Sequence, residues 1–334
     1  MSPHAAITGI GSYLPERRLT NVDLESMVET SDEWIVSRTG ISERRLAHPE
    51  QATSDLGLVA SKRALETAGI GPGDVDLLVV GTSSPDYIFP STAALLQDKL
   101  SLSCAAYDVM AACTSFIHAL FTATCAIESG RARCALVVGA DALTRHIDFT
   151  DRATCVLFGD GAGAVVLQPA EESGVESIIL GSDGSGADLL KIPAGGSALP
   201  ATEERCREGL QYVHMNGNEV FKFAVRIIPS ATSAALEAIG KTVDDLTWLV
   251  PHQANQRIIA TVAERLEMPK DRVFSNVATT GNTSAASIPL ALDDLYTGGR
   301  LAPGDTIALV GFGAGLTWGA AIVRWVLPAS PRKD

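Results

Sequence analysis

The sequence of 334 residues predicts an α/β fold with a duplicated architecture. Two observations carry this prediction: strand-like apolar runs alternate with helix-like segments, and part of the first half recurs in the second. Apolar residues make up 46% and charged residues 19% of the chain, as in ordinary globular proteins. The formal net charge of −13 argues against a general nucleic-acid-binding protein. No apolar run reaches the length of a membrane helix.

Strands and helices follow each other in a regular order. A helix is predicted over "SDLGLVASKRALETAGI" (54–70), followed by the strand "VDLLVVGTS" (75–83). The segment "AAYDVMAA" (105–112) predicts a buried strand, and "TSFIHALFTATCAIESG" (114–130) predicts a helix that Gly130 ends. Further strands are predicted over "CALVVGADAL" (134–143), "GAGAVVLQP" (161–169) and "LTWGAAIVRWVL" (316–327).

An internal repeat indicates the duplication. "ALETAGIGPGDVDLLVV" (64–80) aligns without gaps on 235–251, and "ALVVGADALT" (135–144) aligns on 308–317. At a similar offset, "CTS" (113–115) falls on "NTS" (282–284). Three matches in order predict two halves, residues 1–172 with a candidate nucleophile and residues 173–334 with its polar partners. On this alignment Cys113 and Asn282 occupy equivalent places at the start of a helix.

Cys113 is the candidate nucleophile among the six cysteines (104, 113, 125, 134, 155 and 206). No CxxC pair is present, so we predict neither a metal site nor a disulfide framework. Most cysteines are small buried hydrophobic residues, but Cys113 lies between a predicted strand and a predicted helix. Because a helix N-terminus favours the thiolate, we expect a lowered pKa and a reactive thiol at this position.

His252 and Asn282 are the candidate polar partners. His252 follows the predicted strand "LTWLV" and precedes a helix, whereas Asn282 lies in the turn "GNTS" before another helix. Each has a purely structural alternative, a hydrogen-bonded histidine and a helix N-cap. Sites in α/β proteins gather at such strand and helix ends, so we expect these residues to meet Cys113.

Two glycine-rich stretches do not fit nucleotide loops. "GDGAG" (159–163) and "GFGAG" (311–315) both lead into strands, whereas a dinucleotide fingerprint opens a helix and a P-loop needs its GK[ST]. We expect the glycines to permit close backbone approach, and the second stretch to present N–H groups to an oxyanion.

Six motifs together resemble the β-ketoacyl-[acyl-carrier-protein] synthase III family. They run in order along nearly the whole chain: "TSDEWIVSRTGI" (30–41), "ACTSF" (112–116), "DRATCVLFGDGAGA" (151–164), "HQANQRII" (252–259), "GNTSAASIPLAL" (281–292) and "GFGAGLTWG" (311–319). The resemblance implies the thiolase fold, a duplicated α/β/α/β/α arrangement that agrees with the repeat. It also implies an acyltransferase of fatty acid biosynthesis.

The resemblance implies a mechanism in two half-reactions. Cys113 would take an acyl group from acyl-CoA and condense it decarboxylatively with malonyl-acyl carrier protein to give 3-oxoacyl-carrier protein. His252 and Asn282 would stabilise the enolate, and the backbone N–H groups of Cys113 and Ala314 would form the oxyanion hole. Coenzyme A thioesters and malonyl-carrier protein are then substrates, and no cofactor or metal is expected.

The resemblance also implies binding roles for further residues. Trp34, Arg38, Arg152, Gly217 and Asn255 would hold CoA and its pantetheine arm. Phe89 would limit the acyl pocket across the interface of a homodimer. The candidates for docking of the acidic carrier protein are Lys222, Gln253, Arg257 and Arg265, although Glu264 stands where some family members have a second basic residue.

Three other readings of the sequence compete with this one. A papain-like hydrolase shares the order Cys, His, Asn but needs a CG[SA]C[WY] flank that is missing. A non-catalytic scaffold of the same fold would be expected to lose one of the three polar residues. A polyketide-type enzyme of secondary metabolism would use the same cysteine thioester with a different acceptor. The start "MSPHAAITGIGSYLP" has no basic segment before an apolar one, so we expect a cytoplasmic protein without membrane attachment.

Overall fold

The computed structural model describes residues 4–171 and 174–330. The strands are β1 (His4–Tyr13), β2 (Arg17–Thr20), β3 (Glu43–Leu46), β4 (Leu77–Gly81), β5 (Ala105–Val109), β6 (Ala135–Asp141), β7 (Gly161–Ala170), β8 (Val175–Ser182), β9 (Leu190–Lys191), β10 (His214–Met215), β11 (Trp248–Pro251), β12 (Thr306–Gly313) and β13 (Thr317–Arg324). The helices are α1 (Asn21–Glu25), α2 (Asp32–Thr39), α3 (Thr53–Ala68), α4 (Thr92–Lys99), α5 (Ser115–Glu128), α6 (Arg152–Cys155), α7 (Glu203–Arg207), α8 (Gly217–Glu237), α9 (Gln256–Arg265), α10 (Val277–Thr280) and α11 (Ser287–Thr297).

Two mixed sheets organise the chain. The first has the strand order β1-β7-β6-β4-β5, in which β4 runs parallel to β5 and β6. The second has the order β11-β12-β13-β8, in which β11 runs parallel to β12. Two small antiparallel pairs, β2 with β3 and β9 with β10, lie outside these sheets. The carboxyl ends of the parallel strands carry the turns that form the site.

Helices α5 and α11 lie between the two sheets. Their apolar faces, including Phe116, Leu120 and Leu292, share one buried cluster with Val79 of the first sheet and Leu309 of the second. Helix α3 covers the outer face of the first sheet and α8 covers that of the second. The result is a five-layered α/β/α/β/α arrangement, which confirms the predicted fold class. The predicted boundary at residues 172 and 173 lies outside the described residues.

Most predicted elements are present. The helix over 54–70 is α3, the strand after it is β4, and the predicted helix after Cys113 is α5, with Gly130 at φ 71 beyond its end. The prediction of a buried strand over 105–112 is only partly right. β5 is an edge strand of the first sheet, so its residues are exposed or half-buried; the exposed fraction of Tyr107, for example, is 38%.

The two halves correspond at a register that differs from the sequence alignment. Short 3₁₀ turns, Ala112–Thr114 and Ser284–Ala286, precede α5 and α11, and their first residues have φ of 48° and 49°. Cys113 therefore corresponds to Ala285, and the predicted equivalence of Cys113 with Asn282 is wrong by three residues. The alignment matched the tripeptides "CTS" and "NTS", but the feature that repeats in the structure is the 3₁₀ turn before each helix.

Candidate active site

Cys113 lies in the tight turn between β5 and α5. The backbone of Ala112 adopts a left-handed conformation, with φ of 48°, and so turns the chain sharply before the helix. The hydroxyl of Ser115 fixes this turn, since its Oγ accepts a hydrogen bond from the N–H of Ala111 (2.8 Å) and donates one to the carbonyl oxygen of Ala112 (2.7 Å). Cys113 is 7% exposed.

Burial governs the electrostatics of Cys113. It raises the pKa of the thiol to about 12, while hydrogen bonds from the Ser284 hydroxyl and from the cysteine's own N–H act in the opposite direction. The Oγ of Ser284 lies 3.5 Å from Sγ. The pKa of Cys113 is therefore raised, whereas the sequence predicted that the helix N-terminus would lower it, because loss of solvation outweighs the local donors.

His252 follows the last residue of β11 and is 1% exposed. Its backbone N–H donates to the carbonyl oxygen of Val310 (2.7 Å), which continues the ladder between β11 and β12. The ring packs edge-on against Phe312 with centroids 5.6 Å apart, and its Nδ1 lies 2.6 Å from the Oγ of Ser287. Burial lowers the pKa of His252 to about 3, so the imidazole is neutral at physiological pH.

Asn282 is held by both its backbone and its side chain. Its N–H donates to the carbonyl oxygen of Leu157 (2.8 Å), and its own carbonyl oxygen accepts from the N–H of Gly159 (3.0 Å). The side-chain Oδ1 accepts from the N–H of Ser284 (2.9 Å). Since Oδ1 is engaged in this turn, the Nδ2 group is the part of the side chain that offers donors.

One cavity of about 240 Å³ brings these three residues together. Cys113, His252 and Asn282 all line it, although they come from β5–α5, β11–α9 and α10–α11 connections. The remaining lining includes most of the predicted CoA contacts and one predicted docking residue: Arg38, Gly217, Asn255 and Arg257. The Oδ1 of Asn255 also caps α9 by accepting from the N–H of Ile258 (2.9 Å).

A second cavity, of about 290 Å³, also contacts Cys113. Its lining is mainly apolar: Met110, Leu143, Phe158, Ile192, Val213 and Ala314. This lining could not be predicted from the sequence, because these six residues come from six separate segments of the chain. Phe89, the predicted acyl-pocket residue, lines neither cavity of this chain and is 85% exposed.

The backbone N–H of Cys113 faces Gly313. A Cβ atom at Gly313 would lie 2.7 Å from the nitrogen of Cys113, so only glycine permits this approach. The loop that carries Ala314 is joined to the same turn, because the Oγ1 of Thr317 lies 2.9 Å from the carbonyl oxygen of Ala111 and 3.1 Å from that of Ala314. These contacts join the loop of Ala314 to the turn of Cys113, and the oxyanion role of their N–H groups stays a prediction.

The backbone N–H of the second half that is equivalent to the N–H of Cys113 has a partner within the protein. Ala285 corresponds to Cys113, and its N–H donates to the Oδ2 of the buried Asp141 (2.9 Å). In the first sheet Leu77 pairs with Ala135, and in the second the equivalent Trp248 pairs with Ile307. Gly313 therefore occupies the place of Asp141, one residue before the position that the alignment of 135–144 on 308–317 predicted. A carboxylate therefore fills one of two equivalent sites, and a glycine leaves the other without a side chain.

The predicted CoA contacts Trp34 and Arg152 lie side by side. The guanidinium carbon of Arg152 is 4.7 Å from the ring centroid of Trp34, and Arg152 also donates to the carbonyl oxygen of Glu29 (2.8 Å). A half-buried indole beside a guanidinium suits an aromatic base and its phosphates. The assignment of Trp34 and Arg152 to CoA stays a prediction.

The four predicted docking residues differ in their surroundings. Lys222 pairs with Glu219 at 2.7 Å, Arg257 lies 5.6 Å from the ring of Phe221, and Arg265 donates to the backbone of α8 at 2.9 Å. These three are on the exposed faces of α8 and α9. The structure corrects the prediction that Gln253 is a docking residue. It is fully buried, and its side chain bonds Pro251, Phe274 and Asn276, so it has no surface for a partner.

Sequence reasoning missed Ser284, Ser287, Asp141 and Thr317. Serine, threonine and aspartate are frequent in turns and caps, so only their contacts mark them. The one available signal was the dense run of hydroxyls in "NTSAAS" (282–287). Within residues 4–171 and 174–330 no cluster of metal-ligating side chains is present. In the same part of the chain, none of the helices has the length and apolarity to cross a membrane.

Comparison with known proteins gives one family. The profile for 3-oxoacyl-[acyl-carrier-protein (ACP)] synthase III matches residues 107–184, and that for its C-terminal part matches residues 236–325. The β-ketoacyl-[acyl-carrier-protein] synthase III of Caldanaerobacter subterraneus subsp. tengcongensis is 51% identical over 96% of this chain and 98% of its own. The β-ketoacyl-[acyl-carrier-protein] synthase III of Roseiflexus castenholzii is 51% identical over 97% of this chain and 99% of its own.

Solved structures agree with the sequence comparison. The synthase III from Pseudomonas aeruginosa PAO1 superimposes with a TM-score of 0.91 at 43% identity, covering 98% of this chain and 100% of that one. The priming β-ketosynthase of the R1128 polyketide pathway reaches the same TM-score at 38% identity, covering 98% of both chains. The fold, the site and near-complete coverage by relatives together show that the chain belongs to the 3-oxoacyl-[acyl-carrier-protein] synthase III family.

Proposed function

We propose that the protein carries out its family's condensation in two half-reactions, with Cys113 as the acyl carrier. The observation that carries this proposal is the convergence of Cys113, His252 and Asn282 on one cavity, with a second, apolar cavity that Cys113 also lines. The first cavity suits a pantetheine arm, and the second suits a short acyl chain. This enzyme would start fatty acid biosynthesis.

In the first half-reaction Cys113 exchanges its proton for an acyl group. A bond forms between Sγ and the acyl carbon, the acyl–sulfur bond of acyl-CoA breaks, and the proton of Cys113 leaves with CoA as its thiol. The reactant thiol and the product thioester are both neutral, which suits a buried site. The negative charge that develops on the acyl oxygen would be stabilised by the N–H groups of Cys113 and Ala314.

In the second half-reaction malonyl-carrier protein loses CO₂, and the electron pair of the broken bond forms an enolate. The α-carbon then bonds to the acyl carbon, the Cys113 thioester breaks, and one proton from solvent restores the thiol. His252 and Asn282 would donate hydrogen bonds to the malonyl thioester oxygen. A neutral imidazole suits this role, since it can donate from one nitrogen without adding a charge.

The CoA and carrier-protein contacts follow the path to Cys113. Arg38, Gly217 and Asn255 line the cavity, and we assign them to the pantetheine arm and its phosphates, with Trp34 and Arg152 at the adenine. The carrier protein, which is acidic in the family, would dock on the positively charged side chains Lys222, Arg257 and Arg265. No role in docking is proposed for Gln253.

A homodimer would complete the acyl pocket. Met110 lines the second cavity yet is 68% exposed, so the cavity opens at the surface near the edge strand β5. Tyr87, Ile88 and Phe89 form an exposed apolar group, with exposed fractions of 61%, 82% and 85%. Such a group is typical of an interface, and Phe89 of a second copy would cover the opening. The cytoplasmic location stays a prediction from the sequence.

A polyketide-type priming enzyme is the second candidate, since the R1128 enzyme shares the fold at 38% identity. The two candidate functions differ in the carrier protein that supplies the malonyl group. Condensation should be measured with one acyl-CoA and with malonyl groups on the fatty-acid carrier protein, on a polyketide carrier protein and on CoA. The proposal predicts the highest kcat/KM with the fatty-acid carrier protein. A preference for the polyketide carrier protein would favour the second candidate.

A further inference from the structure

A buried hydroxyl contacts the candidate catalytic histidine. Ser287, the first residue of α11, is 1% exposed, and its Oγ lies 2.6 Å from the Nδ1 of His252. The same Oγ lies 3.4 Å from the backbone nitrogen of Gln253. The rest of the imidazole packs against Phe312 and borders the cavity.

The two contacts of Ser287 decide where the protons are. The backbone N–H of Gln253 can only donate, so the hydroxyl oxygen accepts from it. The hydroxyl oxygen could accept a second hydrogen bond, but the described residues place no acceptor other than Nδ1 of His252 within hydrogen-bond distance of it, so the single hydroxyl proton is directed at Nδ1. Burial lowers the pKa of His252 to about 3, so the ring carries only one proton. That proton is therefore on Nε2, the nitrogen that is free to meet a substrate in the cavity.

The duplicated half supports a specific role for this serine. Ser115 corresponds to Ser287, and the two hydrogen bonds that its hydroxyl makes among the described residues go to the backbone of its own turn, at Ala111 and Ala112. Gly81 corresponds to His252 and stands against the backbone of Ser115, where a Cβ atom would approach to 2.5 Å. Where the first half has glycine, the serine closes the turn. Where the second half has histidine, the equivalent serine bonds the imidazole.

We propose that Ser287 is a positioning residue that keeps His252 in the Nε2-protonated tautomer, aimed at the malonyl thioester oxygen. This inference rests on the proposed function. It predicts that Ser287 matters for decarboxylation and condensation, in which His252 donates, but not for acylation of Cys113. A purely structural serine would affect both half-reactions alike.

The test combines a spectroscopic and a kinetic readout. In ¹⁵N-histidine-labelled protein, with the His252 signals assigned by their absence in His252→Asn, Nε2 should carry the proton and Nδ1 should not. Ser287→Ala should lower malonyl-carrier protein decarboxylation about 10- to 100-fold, the loss that is typical when a hydrogen-bond partner of a metal-ligating histidine is removed. The rate of Cys113 acylation should stay unchanged. Thr297→Ala, which removes a hydroxyl from the last residue of α11, is the matched control and should change neither rate.

Each outcome has a definite meaning. Ser287→Thr, which keeps the hydroxyl, should retain the tautomer and most of the decarboxylation rate. A wild-type His252 protonated at Nδ1 would overturn the inference, and this measurement decides the question even where a variant does not fold. Full decarboxylation by Ser287→Ala would overturn it as well. If wild type itself neither acylates Cys113 nor decarboxylates malonyl-carrier protein, the proposed function fails instead.

Discussion

Gly313→Ala tests the oxyanion hole without altering any polar side chain. The added Cβ would lie 2.7 Å from the nitrogen of Cys113 and 3.1 Å from the Cβ of Ala112. These distances are too short for non-bonded atoms, so the Cys113 turn must move away from Ala314. Gly313 ends a strand and has an ordinary backbone conformation, so the expected effect is steric rather than one of lost flexibility.

The size of the effect follows from losing one backbone donor. Removal of a single oxyanion donor costs about 10²–10³-fold in rate, or about 2.7–4 kcal/mol. The overpacked turn should also lower the free energy of unfolding by about 1–3 kcal/mol. Only steps at the acyl carbonyl use this hole. Acylation of Cys113 should therefore slow about 100-fold, whereas decarboxylation of malonyl-carrier protein by the unacylated enzyme should change much less.

The assay is single-turnover acylation followed by rapid quench and intact-mass measurement, with urea unfolding to show that the variant is folded. Gly184→Ala is the matched control, because among the described residues no heavy atom beyond its chain neighbours lies within 4 Å of its added Cβ. Acylation of Gly313→Ala at the wild-type rate would refute the placement of the oxyanion hole. An equal loss in acylation and decarboxylation would show that the whole site had moved.

Three further perturbations test the electrostatics, the acyl cavity and the CoA contacts. Burial lowers the pKa of His252 to about 3, so between pH ~6.5 and pH ~3 the unfolded chain binds a proton that the folded chain excludes. As the pH is lowered through this range, the free energy of unfolding of wild type, measured in urea, should decrease by up to about 1.4 kcal/mol per pH unit more than that of His252→Asn. Parallel profiles for the two proteins would contradict the burial argument. Leu143→Phe fills part of the apolar cavity and should raise the preference for acetyl- over butanoyl-CoA, as a ratio of kcat/KM, about tenfold or more; an unchanged ratio would place the acyl group elsewhere. Trp34→Ala removes the ring beside Arg152 and should raise the KM for acyl-CoA about tenfold, with condensation by pre-acylated enzyme unaffected; a loss confined to condensation would show that Trp34 serves the carrier protein.

The fold was largely predictable because its elements have strong local signals. Helix α3 is capped at its C-terminus by Gly69, which has φ of 67°, and the all-apolar run of β4 is buried at every position. The exposure of β5 was not predictable, since an edge strand and a central strand differ only in their neighbours. The repeat was visible, but its register depended on the left-handed residues Ala112 and Ser284 rather than on matching letters.

The candidate site was predictable where motifs carry it and not where packing does. Cys113, His252 and Asn282 lie at strand and helix ends that can be located in the sequence. The pKa of the thiol could not be inferred from its helix, because burial depends on the second half of the chain. Gln253 lies beside the histidine in a motif, yet its amide bonds buried backbone groups. Ser287 and Asp141 gained their importance only through contacts between distant segments.

Intact-protein mass spectrometry tests the central claim most directly. Wild type, Cys113→Ala and the control Cys125→Ala, which removes an exposed cysteine, should be mixed with a panel of short acyl-CoAs and then with malonyl-carrier protein. We expect a gain of one acyl mass in wild type and Cys125→Ala, lost again after malonyl-carrier protein is added, and no gain in Cys113→Ala. Acylation that persists in Cys113→Ala, or no acylation of wild type by any acyl-CoA, would contradict the account.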